Sequence, residues 1–513
     1  MLRGVIGLLL FIVGLSSPAR AEWREVETAH FRILGEASEK ELVRYAERLE
    51  GVHYLMKIAT GMRTDRPVVK VRVYYVDTPS ALHKIMGVSA GSSIAGVYVP
   101  GVEGPIAVVP RDTGGGSIFT SQHVLFHEYA HHFMLQYQAV AYPPWYVEGW
   151  AELVSTASFE RKGFITFGKA ANHRQWEIQD TDWIPLERLM ARPAKGKKPP
   201  RGNENFYGQS WLLTHYLTLS DKRPGQLRAY LVALNSGKSD AEAFSVFGDM
   251  KQLEREFRAY GRAGSFPYKA PPLPPEILTV TATRVLRPGE GAVLEKSLQA
   301  RFRLDDEERT TLIAEVEALR QRHPEEVEID LLLASLHEEA EDWKAMAAAA
   351  IRARTNAPGN ARAATFVALA GLRKLDDAGV TDTDAYARAR LPLVEALRAA
   401  PDDPFVLASY YYSYGIAGEP MDETARAMLI KASDLAPQDQ GLRLTAAELL
   451  IRSGDQRGAM RRLLPVANGP HASSARRRAQ DLVIWLNDGG QGDLPPILPD
   501  APEIPDGDDA DGS

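Results

Sequence analysis

The sequence HEYAH at residues 127–131 constrains the fold of this 513-residue chain more than any other feature. Residues that are four apart on an α-helix lie one above the other, so His127 and His131 point the same way and can offer two imidazole nitrogens to one metal ion. The residues on either side of the motif are mostly apolar, as in a helix that is buried in a domain core. We therefore predict that residues 124–137 form a buried helix with a metal site on one face.

Two histidines are not sufficient for a catalytic zinc ion, which usually takes three protein ligands and keeps a fourth position for water. Glu148 is the best-placed third ligand, on a second predicted helix that opens after Pro143 and Pro144. Glu128 follows the first histidine, where its carboxylate can reach a water molecule at the metal without being a ligand, and this placement indicates a general base. The alternative is a buried helix whose histidines only form core hydrogen bonds.

The HEYAH helix and the segment P-x-W-Y-V-E-G-W-A-E-L at residues 143–153 resemble the gluzincin clan of zinc metallopeptidases, and specifically the bacterial peptidase MA-like domains. The resemblance implies an α+β zincin-like metallopeptidase fold, a mixed β-sheet with the HExxH helix, and it implies that Glu148 is the third zinc ligand. The E-G-x-A element also resembles the gluzincin aminopeptidases, whose gap before the glutamate is somewhat longer than the sixteen residues found here. The shorter gap weakens an aminopeptidase assignment but not the expectation of a zinc site.

Two further residues are candidates for supporting roles. Glu152 lies four residues after Glu148 and could accept the second ring N–H of a metal-bound histidine; otherwise it is a helix-surface or salt-bridged glutamate, or a substitute third ligand. Tyr207 begins an apolar helical run, and the resemblance to gluzincin aminopeptidases makes it a candidate oxyanion donor; the ordinary alternative is packing at a helix start. Isolated histidines are more often caps or packed residues than site residues, and three are weaker candidates: His123, His132 and His215.

The composition excludes several function classes. A chain of this length with 45% hydrophobic residues has enough apolar sequence for two or more domains. The net charge of −7 gives no large basic surface, so we expect no nucleic acid as a partner. The chain has no cysteine, which excludes disulfides, thiolate zinc ligands and a lipoprotein anchor.

The first 21 residues have the pattern of a bacterial signal peptide. Arg3 supplies the positive charge, residues 5–15 are apolar, and the residues before the expected cleavage after Ala21 fit the small-residue rule. The apolar run is shorter than the ~20 residues of a membrane-spanning helix, although an uncleaved anchor is an alternative, and no other segment is long enough. We predict a periplasmic or secreted protein with no stable membrane span after cleavage.

Residues 22–266 are predicted to form the metallopeptidase domain. Apolar patterns predict a helix at residues 38–58, opened by a capping box that joins Ser38 to Glu41. They also predict short strands near residues 30–34, 68–76, 95–99 and 106–109. The segment 105–110, with proline at both ends, is either an edge strand that pairs with an extended substrate or an ordinary strand.

Two segments of this domain read as loops. The glycine-rich residues 112–117 lack the G-K-[ST] ending of a phosphate-binding loop, so they predict a flexible loop that leads to the site helix. The basic residues 194–201 are a mobile surface loop, a lid over the cleft or a contact for acidic substrates.

A Pro-rich linker is predicted at residues 267–288, and an all-α solenoid of tetratricopeptide-like repeats at residues 289–487. Regularly spaced prolines, close to a 34-residue period, mark the repeats: Pro324, Pro358, Pro401, Pro437 and Pro470. Gly418 and Gly454 mark breaks within repeats, and the longest interval fits an insertion around residues 378–383.

Stacked helix pairs of this kind form a concave groove that commonly binds peptides, so we expect a protein partner at the repeats; a structural cap is the alternative. Residues 488–513 are rich in Gly, Pro and Asp and predict a disordered acidic tail.

These features predict an exported zinc metallopeptidase that acts on a peptide or protein substrate, with Glu128 as general base and the repeats recruiting a substrate or partner. One alternative is a catalytically inactive zincin-like protein that acts as a repeat-based binding scaffold. A second is a non-peptidase zinc hydrolase that acts on another acyl substrate or on cell-wall material. The intact motif and Glu148 argue against the scaffold, since a decayed site usually loses one of these residues.

Overall fold

The structure is a computed structural model, and it describes residues 22–63, 69–89, 92, 94–111, 120–137, 140–160, 163–179, 182–191, 205–302, 304–469 and 473–496. The predicted signal peptide and the segments 112–117 and 194–201 lie outside the described residues. What the sequence indicates for these three segments therefore stays a prediction.

A mixed six-stranded sheet forms the frame of the N-terminal half. Its strands are β1 (Arg24–Glu27), β2 (Phe31–Gly35), β3 (Val71–Val76), β4 (Val97–Val99), β5 (Ile106–Pro110) and β8 (Ala282–Val285), and a separate hairpin contains β6 (Ser158–Glu160) and β7 (Phe164–Thr166). The spatial order is β4-β5-β3-β2-β1-β8; β2, β3 and β5 are parallel, and the other pairs are antiparallel. The four strands predicted from apolar alternation are confirmed as β2 to β5.

The helices of the N-terminal half are α1 (Glu39–Thr60), α2 (Pro79–Met86), α3 (Ser121–Tyr137), α4 (Pro144–Ser155), α5 (Gln175–Gln179), α6 (Leu186–Met190), α7 (Phe206–Leu219), α8 (Gln226–Asn235), α9 (Asp240–Phe244) and α10 (Met250–Ala263). The sheet, α1, α3, α4 and α7 share one apolar core, in which Phe31, Phe133 and Trp211 are fully buried. This core holds α3, the helix with the HEYAH motif, between the sheet and α4.

Ser38 begins α1 as predicted, because its hydroxyl accepts a hydrogen bond from the backbone N–H of Glu41 at 3.3 Å. The Glu41 carboxylate does not complete the predicted capping box. It instead accepts two hydrogen bonds from Arg111, at 3.0 and 3.1 Å. A tertiary ion pair has therefore replaced the local contact that the sequence pattern suggests.

The segment 105–110 is an ordinary strand, and its interpretation as an edge strand is wrong. β5 pairs with β3 on one side and with β4 on the other, and all five of its residues are buried. The chain at Val97–Val99 runs back along β5 and covers it. Within the described residues, β4 is therefore the strand at this edge of the sheet, and its side chains are half-buried.

The C-terminal half is an array of helices, which confirms the predicted all-α character. The helices are α11 (Pro288–Gln299), α12 (Asp306–Arg322), α13 (Val327–Glu339), α14 (Trp343–Asn356), α15 (Ala361–Asp377), α16 (Thr383–Ala399), α17 (Pro404–Ile416), α18 (Glu423–Leu435), α19 (Gln440–Arg452), α20 (Gln456–Ala467) and α21 (Ser474–Asn487). Gly418 and Gly454 lie in the loops after α17 and α19 with φ of 63° and 84°, as the predicted breaks require. The identification of the array as tetratricopeptide repeats stays a prediction.

The long repeat interval has no single insertion at residues 378–383. The helices in this interval, α15 and α16, are both longer than those of the preceding pair. They contain 17 residues each, whereas α13 and α14 contain 13 and 14. The extra length is therefore shared between the helices and the loop that joins them.

The predicted linker is packed against the N-terminal half. Lys269 and Pro272 form β-bridges to Phe167 and Phe164, and β8 pairs with β1. α11 then covers the second face of the sheet with an apolar cluster that includes Leu294. The sheet and the helical array consequently share a core at this junction.

The described chain continues past the predicted start of the acidic tail. Leu494 packs against the last helices of the array, and residues 497–513 lie outside the described residues. In the described part of the chain, no helix combines the length and the apolar character that crossing a membrane requires.

Candidate metal centre

α3 presents His127 and His131 on the same face, as their spacing requires. The helix is held in place by apolar side chains that are buried in the main core, including Leu125, Phe126 and Phe133. His131 is buried and His127 is half-buried. The two imidazole rings therefore project from a rigid element, with one ring partly open to solvent.

α4 brings Glu148 to the two histidines. The helix begins at Pro144, where the fixed φ of proline suits a first turn. All of its residues are buried. Gly149, which has no side chain, allows α7 to approach the backbone of α4 closely. A Cβ atom at Gly149 would lie 2.2 Å from the backbone oxygen of Ser210 and 2.2 Å from Oγ1 of Thr214, both in α7. α7 therefore packs on the backbone of α4 and holds Glu148 towards α3.

The three predicted metal ligands come together in one small triangle. The Nε2 atoms of His127 and His131 are 3.1 Å apart, and they lie 3.3 and 3.4 Å from Oε2 of Glu148. These residues could hold a metal ion. Imidazole nitrogen and carboxylate oxygen are donors that many divalent first-row metals accept.

The carboxylates of the site favour positive charge among them. Burial opposes protonation of His127, but Glu148, Glu152 and Glu128 outweigh it and raise the pKa of His127 to about 9. Burial also opposes ionisation of Glu148, but His131 and His127 hold the pKa of Glu148 well below its usual range. The site therefore favours a positive charge, either a proton on His127 or a metal cation held by the three residues of the triangle.

Glu152 lies behind His127. Its Oε1 atom is 3.5 Å from Nδ1 of His127, the ring nitrogen that faces away from Glu148. The carboxylate is held by Nε2 of His173 at 2.8 Å and by Nη2 of Arg174 at 2.9 Å. Burial opposes its charge, but Arg174, His173 and His127 lower the pKa of Glu152. The side chain is salt-bridged, as in the ordinary alternative, and it also faces the histidine, as the supporting role requires.

Glu128 lies on the side of α3 that faces the edge strand β4. One turn further along α3, Nδ1 of His132 is 2.7 Å from the hydroxyl group of Tyr98 in β4. Burial raises the pKa of Tyr98, and the charge of Glu128 adds to this effect. Glu128 is half-buried. Its carboxylate therefore lies beside His127 and close to the strand, with access to solvent.

Tyr207 is the second residue of α7 and lies beside the Glu152 cluster. The guanidinium group of Arg174 is 4.8 Å from the centre of its ring. Arg174 also binds Glu177 at 3.2 Å, and the other Glu177 oxygen accepts the backbone N–H of Gly208 at 2.6 Å. One polar network thus ties the start of α7 to Glu152, and the role of Tyr207 as oxyanion donor stays a prediction.

Two of the weaker histidine candidates have structural partners outside the triangle. Nδ1 of His123 lies 2.9 Å from Oγ1 of Thr120 at the start of α3, and its ring centre is 5.4 Å from that of His173, which binds Glu152. The two ring nitrogens of His215 are each 2.9 Å from a partner, the backbone oxygen of Gly168 and the hydroxyl group of Tyr260. Both agree with the expectation that isolated histidines are caps or packed residues.

Sequence reasoning missed the residues that hold Glu152 and the strand contact of α3. His173 and Arg174 belong to a short 3-10 turn, Asn172–Arg174, that carries no recognisable motif. Tyr98 is one aromatic residue in a short strand, and its contact with His132 joins parts of the chain that are distant in sequence. No local pattern predicts such contacts.

Comparisons of this chain with protein-family models and with curated proteins found no match.

We expect Glu152→Gln to weaken metal binding by about 10- to 100-fold, the usual effect of losing a residue that supports a metal ligand. The neutral amide removes the negative charge that faces Nδ1 of His127 and that Arg174 binds. Competition with a chelating indicator measures the affinity. Glu160→Gln, which removes an exposed ion pair with Lys169, is the control and should bind metal like wild type. Equal affinities for Glu152→Gln and wild type would show that Glu152 does not support the site.

Proposed function

We propose that this protein is an exported zinc-dependent metallopeptidase of the gluzincin type. The observation that supports this most is the triangle of His127, His131 and Glu148, built from two buried helices in the order that the gluzincin motif implies. Export is proposed from the pattern of residues 1–21 alone.

The distances within the triangle suit zinc. Zinc binds histidine nitrogen at about 2.0–2.1 Å and carboxylate oxygen at about 2.0–2.2 Å, in tetrahedral geometry. Two ligand atoms of such a tetrahedron are about 3.3–3.5 Å apart. The three distances here are 3.1, 3.3 and 3.4 Å. Three protein ligands leave one tetrahedral position open, which is typical of catalytic rather than structural zinc sites.

The site contains three carboxylates, Glu148 in the triangle with Glu128 and Glu152 beside it, and Glu128 is the one suited to proton transfer. Glu148 contacts both histidines of the triangle, and Glu152 is bound by Arg174 and His173. Both carboxylates are buried and held in place by these contacts. Glu128 is half-buried and lies next to His127. In this proposal it takes a proton from the attacking water and passes it to the leaving amine. When bound, zinc supplies Lewis-acid chemistry, because it lowers the pKa of water from ~15.7 to about 7 and polarises a carbonyl group.

A peptide is the substrate class that the sheet favours. β4 pairs with β5 on one side, and no other described strand pairs with it on the opposite side. An extended peptide can add to such an edge through main-chain hydrogen bonds. Because Tyr98 of β4 is hydrogen-bonded to His132 of α3, a peptide on this edge would run close to the metal ligands. We therefore propose that the substrate lies along Val97–Val99, in place of the segment 105–110.

Metal content and proteolysis together test the proposal. Elemental mass spectrometry should find one zinc per wild-type chain, and zinc should be lost in His131→Ala and Glu148→Ala. His337→Ala, which changes a half-buried histidine of the helical array, is the matched control and should keep its zinc. Absence of zinc after reconstitution would favour the scaffold alternative. Zinc without cleavage of an unstructured protein would favour a non-peptidase hydrolase.

We expect Tyr207→Phe to lower turnover by about 100- to 1000-fold with no change in zinc content, the usual cost of removing an oxyanion donor. The substitution keeps the ring that Arg174 covers and removes only the hydroxyl group. Steady-state peptide hydrolysis gives the rate, with Tyr268→Phe at an exposed position as the control. A wild-type rate for Tyr207→Phe would remove this residue from the reaction.

A further inference from the structure

The loop that joins β4 to β5, residues 100–105, is bound by the helical array. The carboxylate of Glu103 forms ion pairs with Arg301, which follows α11, and with Arg362 in α15; the second pair is 3.2 Å long. Arg362 also donates a hydrogen bond to the backbone oxygen of Glu103 at 3.1 Å. Two arginines of the array thus bind one acidic side chain of the sheet domain, a mode that is typical of acidic-motif recognition.

Two further contacts extend along the same loop. The side chain of Gln438, before α19, donates a hydrogen bond to the backbone oxygen of Gly101 at 3.3 Å, and Gln438 is only 2% exposed. Its Oε1 atom is buried and has no hydrogen-bond partner among the described residues. Val102 packs on the apolar cluster of α15 to α19, which includes Leu372 and Leu407. The array therefore contacts backbone, apolar and acidic groups of three consecutive residues, as a peptide-binding groove does.

Arg362, one of the two arginines that bind Glu103, is itself supported. Nε of Arg362 is 3.5 Å from a carboxylate oxygen of Asp403, and its guanidinium group lies 5.7 Å from the centre of the Phe405 ring. The side chains of Glu103, Arg301 and Arg362 are 22%, 26% and 28% exposed. A carboxylate that arrives from solvent can therefore reach the same guanidinium groups without unfolding of the array.

We propose that the groove formed by Arg301, Arg362 and Gln438 recognises an extended acidic peptide segment, that the loop 100–105 is its resident ligand, and that a protein partner carrying such a segment binds the array by displacing this loop. The contacts of Gly101, Val102 and Glu103 define the segment expected in the partner. It has a small residue whose carbonyl group accepts a hydrogen bond from Gln438, then an apolar residue, then a glutamate or aspartate.

Displacement of the loop would reach the edge of the sheet. Val99 of β4 directly precedes the loop, and Tyr98 binds His132, the neighbour of the metal ligand His131. Release of Glu103 from the array therefore removes one anchor beside β4, while the pairing with β5, the Tyr98–His132 contact and the hydrogen bond from Arg72 to the backbone oxygen of Glu103 at 3.2 Å remain. The effect of a partner on hydrolysis rests on the proposed function, whereas the binding exchange does not.

A peptide added to the full-length protein tests the exchange directly. The probe is a fluorescent peptide with the sequence VYVPGVEGPI, which is that of residues 97–106, and the readout is fluorescence anisotropy. Glu103→Lys repels both arginines and should vacate the groove, so we expect this variant to bind the probe at least tenfold more tightly than wild type. A probe with glutamine in place of its glutamate should lose that gain. Equal binding of the probe to Glu103→Lys and wild type, or equal binding of the two probes, would overturn the proposal.

Two further measurements keep the test decisive. Adding Arg362→Glu to Glu103→Lys restores an ion pair between loop and array, and it should return probe binding towards the wild-type level. Hydrogen exchange of residues 97–105 should be faster in Glu103→Lys than in Glu295→Lys, which disrupts an exposed pair with Lys84 instead. If Glu103→Lys does not fold, Glu103→Gln with the same probes replaces it. Unchanged exchange in a folded variant would show that the array does not hold the loop, whatever the enzymatic activity proves to be.

Discussion

Replacement of Glu128 by glutamine is expected to lower peptide hydrolysis by about 100- to 10,000-fold while leaving the zinc content at the wild-type level. Glutamine has the shape of glutamate but cannot accept a proton from water. The proposed metal ligands His127, His131 and Glu148 are untouched by the change. Parallel measurement of zinc by elemental mass spectrometry and of hydrolysis by a fluorogenic peptide assay separates the two properties.

A matched variant shows whether the loss is specific. Glu254→Gln also replaces a partly exposed helical glutamate, in α10, where it removes a salt bridge to Arg258. Such exposed pairs contribute little to stability, so this variant should retain both zinc and activity. Wild-type hydrolysis by Glu128→Gln would rule out Glu128 as the base and would require a different mechanism.

Gly149→Ala is expected to lower the free energy of unfolding by at least about 2 kcal/mol, although alanine is the better helix former. The added methyl group would lie 2.2 Å from the backbone oxygen of Ser210, which cannot move without shifting α7. Because Glu148 precedes this glycine, separation of α4 from α7 should also displace this proposed third metal ligand. Chemical denaturation measures the stability, and the chelator competition assay measures the metal affinity.

Gly371 provides the control for this experiment. It also lies inside a helix, α15, but a Cβ atom there would lie 3.7 Å from the Cβ of Ala389, an ordinary van der Waals contact. Gly371→Ala should therefore be neutral or stabilising by up to about 1 kcal/mol, as helix propensity alone predicts. If both alanine variants had the stability of wild type, the close approach of α4 and α7 would not be a constraint on the site.

The parts of the site that follow from local spacing could be predicted from the sequence. His127 and His131 are placed by the period of one helix, and the proline pair at the start of α4 marks the helix that carries Glu148. The contacts of Glu152 with His173 and Arg174 could not be predicted in the same way. They join a helix to an irregular turn, and no sequence period relates the two.

The two wrong predictions about the fold have a similar origin. Proline at both ends of the segment 105–110 is compatible with an edge strand, but strand order depends on where the neighbouring segment Val97–Val99 turns, which local pattern does not encode. Glu41 has the spacing of a capping box, yet Arg111 from a distant part of the chain binds its carboxylate. In both cases a tertiary contact decides between two local possibilities.

The pairing of β8 with β1 has a consequence for the order in which the chain can fold. Arg24 of β1 pairs with Val285 of β8. This edge of β1 therefore stays unpaired during synthesis until β8 has been made, more than half a chain later. Contacts of such long sequence separation slow folding, and an unpaired strand edge is a site for aggregation in the meantime. A chain that stopped at residue 266 would leave β1 without β8 and the second face of the sheet without α11. The smallest piece that both completes the sheet and covers its second face therefore extends into the first helix of the array.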